Sequence, residues 1–275
     1  MLFFNIICII VIIAVIYLLC VLPSFKKPDC SRLLGWNYAH RGFYDNEKSV
    51  PENSLPAFEN AVIMGYGIEL DVRMSSDGVM VVHHDETLKR SCGDKRKVSS
   101  CTAKELANQK LFGFEVGIPS LKKVLKVVDG QVPVMIEIKD EGFKSDTVIV
   151  LRDILRTYYG AYCIKSFNPV QMMHVRRLMP EAVRGQLSTD FNADDKKCGL
   201  LKGFVLENML LNFLSRPHFV SYGYRYNKKL SFVICKKFCA FTSAWTIKTP
   251  AAFERALKFF DIAIFESFTP DNNKR

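Results

Sequence analysis

Hydrophobic and polar positions along the chain fall into two regimes. From Leu2 to Leu22 there is no formal charge and little but Ile, Leu, Val, Phe and Cys; at ~1.5 Å per residue such a helix spans roughly 30 Å, the thickness of a bilayer's hydrocarbon core. Beyond it, short apolar runs alternate with helical patterns. The runs predict strands at Trp36–His40, Gly67–Val72, Val132–Lys139, Ala161–Ser166, Ala182–Leu187, Phe219–Gly223, Ala240–Thr246 and Ile262–Phe265. The intervening periodicity predicts helices at Ser54–Met64, Leu121–Val128, Asp146–Tyr158, Pro169–Leu178, Lys197–Leu214, Lys228–Lys237 and Pro250–Phe259. Eight strands separated by helices imply an α/β chain closed into a (β/α)8 TIM barrel, preceded by a transmembrane helix.

Local chemistry agrees with these boundaries. Ser120, Asn168 and Thr249 stand where N-caps belong, and Pro169 and Pro250 fall at the first helical position, where a missing N–H costs nothing. The segment Ser75–Pro119 exceeds a plain connection; it offers a hairpin at Ser76-Asp77-Gly78 and a Lys/Arg-rich patch from Lys89 to Lys97. Only ten residues follow Phe265, so the barrel's last helix is expected to be short or absent and its seam weak.

The division that follows is an anchor at 1–23, a linker at 24–35 and a barrel at 36–275. A cleaved signal peptide fits less well, because no Lys or Arg precedes the apolar run and Val21-Leu22-Pro23-Ser24 is a poor cleavage site. Lys26, Lys27 and Arg32 follow the run, which places the barrel in the cytoplasm by the positive-inside rule. The nine cysteines form no CxxC pair, which suits reduced thiols, and Cys235 and Cys239 lack the partners of a zinc site. A net charge of +10 suits an anionic membrane surface or a phosphate-bearing substrate; nucleic acid is not expected for a domain held at a bilayer.

The candidate chemistry gathers at strand ends. Glu69 and Asp71 share one face of a buried strand by the period of 2, and two adjacent carboxylates repel unless a cation lies between them. Glu137 and Lys139 repeat that spacing one parallel strand later. Ile68, Leu70, Val72, Ile136 and Ile138 occupy the alternate positions, so the charged set faces the barrel interior, where it would be costly without a function. His40 closes the first strand, and His83-His84 follows Val79–Val82, so only one of that pair can share the inward face.

The ordered segments HRG, PENSLPAFENA, IELDV, DGVMVVHHDETLKRSCG, IPSL, MIEIK, SFNP and AWTI resemble the glycerophosphodiester phosphodiesterase family, in a membrane-anchored member of bacterial type. The resemblance covers most of residues 38 to 266 and implies the phospholipase-C-like type of barrel. It further implies His40 and His84 as acid/base residues, Glu69, Asp71 and Glu137 as ligands of one divalent cation, Ca2+ or Mg2+, and Arg41 and Lys139 as phosphate-binding cations. Glu52 and Asn53 match a supporting pair, and Trp245 matches an aromatic residue near the substrate's glycerol. His84 is the matching histidine because the family places it directly before Asp85. The chain departs from the family after the last strand, where Glu266 stands in for an acidic residue followed by proline.

The implied reaction is metal-dependent hydrolysis of glycerophosphodiesters to glycerol 3-phosphate and an alcohol. A lysophospholipase D acting on lysophospholipids keeps the same site and changes the substrate. A catalytically silent, membrane-tethered binding module would be expected to have lost one of these positions, and all of them are present.

Overall fold

Alternation along the strands sorts side chains into two apolar layers. Ile68, Leu70 and Val72 join Val134, Ile136, Ile138, Ile164, Val220, Ala244 and Ala263 in one core between strands and helices. Tyr38, Met135, Cys163, Val183, Phe219, Phe241, Ile262 and Ile264 point the other way and form a second core. That second set is the interior of a barrel. In the computed structural model, which describes residues 1–140, 142–191 and 199–270, it fills one end of the barrel and leaves the other to polar groups.

The elements run α1 (Leu2–Val21), β1 (Tyr38–His40), α2 (Leu55–Ile63), β2 (Gly67–Met74), β3 (Met80–Val82), α3 (Lys89–Cys92), α4 (Ala103–Ala107), α5 (Leu121–Val128) and β4 (Val134–Ile138). They continue as α6 (Asp146–Leu155), β5 (Tyr162–Ser166), α7 (Pro169–Leu178), β6 (Val183–Ser188), α8 (Leu200–Glu207), α9 (Asn212–Ser215), β7 (Phe219–Gly223), α10 (Leu230–Phe238), β8 (Phe241–Ile247), α11 (Pro250–Leu257) and β9 (Ile262–Phe265). All strands but β3 are parallel to their neighbours, and β1 pairs with both β2 and β9, which closes an eight-stranded barrel. β3 is a hairpin partner of β2, turned at the Ser76-Asp77-Gly78 site.

The expected caps are in place: Ser120 accepts from the Lys123 N–H, Asn168 from Val170 and Thr249 from Ala252. The expectation of one helix over Lys197–Leu214 needs correction. Its start lies outside the described residues, and the rest is two helices, α8 and α9, parted around Met209 at φ +52°. The helix expected to run to Tyr158 stops at Leu155. No helix follows β9 among the described residues. The seam there rests on two residue pairs, Tyr38 with Ile264 and Ala39 with Phe265. It is reinforced by rings: Phe265 packs on Tyr66 at 4.9 Å and on Phe268 at 5.5 Å, and Tyr66 donates to the Pro270 carbonyl.

Residues 24–35 are mostly exposed but are pinned to the barrel at two points. Cys30 and Leu33 join the interior core, and the Leu33 carbonyl accepts from the Tyr38 hydroxyl at 2.8 Å, so this stretch plugs the closed end. α1 is exposed along its length except at its C-terminal end and is apolar enough to cross a membrane.

One glycine fixes how tightly that end packs. A Cβ on Gly185 would lie 2.3 Å from the Phe219 ring, which itself stacks on Phe241 at 4.5 Å. Gly185→Ala is therefore expected to destabilise the barrel by about 1–3 kcal/mol through overpacking, measurable as a lower urea midpoint with an unchanged slope.

Candidate active site

The polar end of the barrel is built from strand C-termini. β1 ends in His40, β2 carries Glu69 and Asp71, and β4 carries Glu137 with Lys139 just beyond it. Register places Glu69 beside His40 and Asp71 beside Glu137. Oxygen atoms of Glu69, Asp71 and Glu137 lie within 4.8 Å of one another, and all three residues are buried. Among the described residues no other group of acids, histidines or cysteines is arranged to hold a metal.

The loop after β1 folds onto this cluster for local reasons. Gly42 has φ +83°, and a Cβ there would strike the Ala57 backbone at 2.9 Å, so only glycine allows the turn to close against α2. Arg41 (φ +59°) and Asn53 (φ +56°) hold the same left-handed conformation without being glycine, a strain of the kind that collects at functional sites. The turn aims the Arg41 N–H at Glu69 Oε2 (3.2 Å), and the Arg41 carbonyl accepts from the Asn53 N–H (2.9 Å). Asn53 Nδ2 in turn donates to Asp71 Oδ2 at 2.9 Å.

Cations surround the carboxylates. Lys139 Nζ is 2.5 Å from Glu137 Oε1 and 3.3 Å from Asp71 Oδ1; Arg41 lies 2.7 Å from Glu52 and 3.5 Å from Asp71. Lys165 on β5, which the sequence reading did not single out, is almost wholly buried and stands 3.0 Å from Glu69 Oε1 and 3.7 Å from Glu137 Oε2. Burial alone would raise the carboxyl pKa values. Lys139, His84, Arg41 and His40 instead hold Asp71 well below the ordinary range, and Lys139 and Lys165 lower Glu137. Burial would likewise lower Lys139, but Asp71 and Glu137 raise it.

Glu69 Oε1 and Asp71 Oδ1 accept no hydrogen bond in good alignment, although an ammonium faces each. Three converging carboxylates with free lone pairs fit a hard divalent cation.

Each candidate histidine is held by a carboxylate. His40 Nδ1 is 2.5 Å from Glu266 Oε2, leaving Nε2 toward Glu69 at 3.9 Å. His84 Nδ1 is 2.6 Å from Asp85 Oδ1, and His84 is close enough to Asp71 to act on its charge. His83 differs: it is buried, with Nε2 on Ser91 Oγ at 2.8 Å and Nδ1 on the Asp85 carbonyl at 2.9 Å. Its pKa is lowered by burial, which suits a neutral structural imidazole.

The long insert explains Asp85. Arg90, inside the basic patch, spans Asp85 Oδ2 (2.6 Å) and both oxygens of Glu52 (2.6 and 3.1 Å), so one guanidinium ties the His84 support to the Arg41 support. Arg90 and Arg41 hold Glu52 below its ordinary pKa against the effect of burial. The insert has its own small core of Val81, Leu88, Val98, Cys101, Leu106, Leu111 and Ile118. Trp245, at the end of β8, stands edge-on to Phe167 at 5.4 Å. A cleft of about 370 Å³ opens beside Lys139 and runs between Arg73, Glu86 and Asp140.

Residues 40–265 match the Glycerophosphoryl diester phosphodiesterase family. A glycerophosphodiester phosphodiesterase of Caldanaerobacter subterraneus is 29% identical over 236 residues, covering 80% of this chain and 88% of that protein. A lysophospholipase D of Rattus norvegicus is 33% identical over 121 residues, 39% of this chain and 37% of that one. Among solved structures, a phosphodiesterase of Oleispira antarctica in complex with its product sn-glycerol-3-phosphate superposes with a TM-score of 0.70 at 20% identity, covering 86% of this chain and 94% of that chain.

Proposed function

We propose that this chain, which belongs to the glycerophosphoryl diester phosphodiesterase family, hydrolyses glycerophosphodiesters to glycerol 3-phosphate and an alcohol. The observation that carries the reading is the pair of carboxylate-held histidines flanking three buried carboxylates at the open end of the barrel. Glu69, Asp71 and Glu137 would hold one divalent cation, Ca2+ or Mg2+, which when bound neutralises non-bridging phosphoryl oxygens and orients the attacking hydroxyl. Arg41 and Lys139 add positive charge for the phosphate, Glu52 and Asn53 hold Arg41 and Asp71 in place, and Trp245 offers a ring to the glycerol.

His40 and His84 divide the proton work. With Nδ1 bound to Glu266, the His40 Nε2 is free to take or give a proton inside the cavity; with Nδ1 bound to Asp85, His84 is disposed likewise. One removes the proton of the attacking hydroxyl, which belongs to a water or to the substrate's glycerol, and the other protonates the departing alkoxide; where the glycerol hydroxyl attacks, a water then opens the resulting cyclic phosphate with the two histidines in exchanged roles, which gives glycerol 3-phosphate. The carboxylates stabilise whichever imidazole is charged, as in a hydrolase triad.

The assay is phosphorus NMR of the full chain with glycerophosphocholine and Mg2+ or Ca2+. Glycerol 3-phosphate and choline are the expected products; phosphocholine, or no turnover with either ion, contradicts the assignment.

α1 is read as a single-pass anchor for residues 1–23, with 24–35 as the connecting segment and the barrel at 36–275 in the cytoplasm, since Lys26, Lys27 and Arg32 follow the span. A second reading, lysophospholipase D, is favoured by that anchor and by the likeness to the rat enzyme. It keeps every residue role and exchanges a soluble diester for a singly acylated one.

A further inference from the structure

The way α1 meets the barrel fixes which end of the barrel faces a membrane. In a parallel barrel each helix starts at the strands' C-terminal end, where the site opens, and finishes at the closed end. α10 follows β7 and so descends from the open end. Tyr17 lies against Ser231 and Cys235, and the carbonyl of Val21, one turn later, accepts from Cys235 Sγ (3.4 Å) and from Asn212 Nδ2 (2.8 Å). The Leu22 carbonyl accepts from Arg216 (2.8 Å), and the Ser24 N–H donates to the Pro217 carbonyl (2.9 Å), at the closed end just before β7. The chain therefore descends beside α10 from Tyr17 to Ser24. Everything before Tyr17 projects past the open end.

Depth follows from helix length. Leu2 to Ile16 reach ~22 Å beyond Tyr17, so a hydrocarbon core of ~30 Å takes in one further turn, from Tyr17 to about Val21, and runs beside the first turns of α10 down to Cys235. Two helices at the open end expose large apolar side chains among the described residues. Leu200 (85% exposed), Leu201 (78%) and Phe204 (56%) line α8, and Leu230 (64%) and Val233 (51%) line α10. α8 belongs to the open end, because its last carbonyls accept from Ser188 at the end of β6 and from the Tyr222 hydroxyl near the end of β7. Lys202 belongs to α8 itself, and Arg225 and Lys228 lie in the segment that leads from β7 into α10, in a chain of net charge +10, which complements anionic headgroups.

We propose that the open end of the barrel is seated on the bilayer that α1 spans, with α8 and the first turns of α10 inserted at its interface, so that the site draws its diester from the lipid surface. This rests on the phosphodiesterase reading and narrows it to amphiphilic, singly acylated substrates.

The test uses the full chain in phosphatidylcholine/phosphatidylglycerol vesicles with chain-brominated lipid. Fluorescence of a tryptophan added as Phe204→Trp is expected to be quenched, and that of Tyr159→Trp, at the closed end and 91% exposed, is not. Equal quenching at both sites, or none at 204, overturns the seating. In parallel, Leu200→Asp with Leu201→Asp is expected to lower turnover of vesicle-borne lysophosphatidylcholine about 10-fold or more while leaving that of soluble glycerophosphocholine unchanged; equal effects on both substrates refute the proposal. If the parent cleaves neither substrate, the phosphodiesterase reading falls, and quenching still judges the seating.

Discussion

His40→Ala and His84→Ala are each expected to lower turnover about 1,000-fold, within the range that a positioned general acid or base contributes, while the fold stays intact. Both side chains sit at the rim of the cavity rather than in the packed interior, so their removal leaves no large void. The double variant should be little worse than either single one, because residues that act as a unit are not additive. Near-parental rates for both single variants in metal-replete buffer would rule the mechanism out. Glu266→Gln separates proton chemistry from simple placement. The amide can still accept a bond from Nδ1 but cannot stabilise the imidazolium, so kcat should fall about 100-fold or more with KM little changed and the pH profile should shift. The parallel loss in Asp85→Asn identifies the second histidine's support, whereas His83→Asn should act on stability and not on the pH profile, since His83 is spent on Ser91 and a backbone carbonyl.

Much of this site was legible because parallel barrel strands obey two constraints at once. The apolar alternates Ile68, Leu70 and Val72 had to face the helices, which sent Glu69 and Asp71 inward, and the same logic carried Glu137. The caps at Ser120, Asn168 and Thr249 marked helix starts because their chemistry is local. Lys165 was overlooked although the signal existed: it alternates with Cys163, which is interior, and a lysine at such a position needs an acid to face. Arg90 carried no comparable signal. It is one of several cations in the Lys89–Lys97 patch, and only the four-residue α3, ended by left-handed Gly93, selects the one that turns toward Glu52 and Asp85. The split between α8 and α9 was equally hidden, since the positive φ at its joint belongs to Met209 and no glycine marks it. The packing of Cys30 and Leu33 into the closed end joins them to Met135 and Phe219, distant in sequence and invisible to any window, as well as to the nearby Tyr38.

Two substitutions at the carboxylate cluster should move metal binding in opposite directions. Asp71→Asn keeps the size of the side chain but removes a ligand charge; divalent-ion affinity should fall about 100-fold or more, and turnover with it. The readout independent of activity is thermal. At an ion concentration of ~100 times the dissociation constant, the parent gains about 2.7 kcal/mol of stability, and Asp71→Asn should show almost none of that gain. Lys165→Met leaves the three ligands and removes the ammonium 3.0 Å from Glu69. Without the ion the variant then buries carboxylates short of one counter-charge, which costs on the order of 3–5 kcal/mol. With the ion bound that repulsion is relieved, so its metal-induced rise in Tm should exceed the parent's. Acid reports the same balance: Asp71 and Glu137 have folded pKa values below their ordinary 3.8 and 4.5, so the stability they contribute is complete above that range and disappears as pH falls through the lowered values. In Lys165→Met, where Glu137 has lost one of the cations that lower it, that loss should begin at a higher pH. A Lys165→Met protein with parental stability and an unchanged metal response would show that the lysine neutralises nothing, and that the carboxylates are balanced by Lys139 and Arg41 alone.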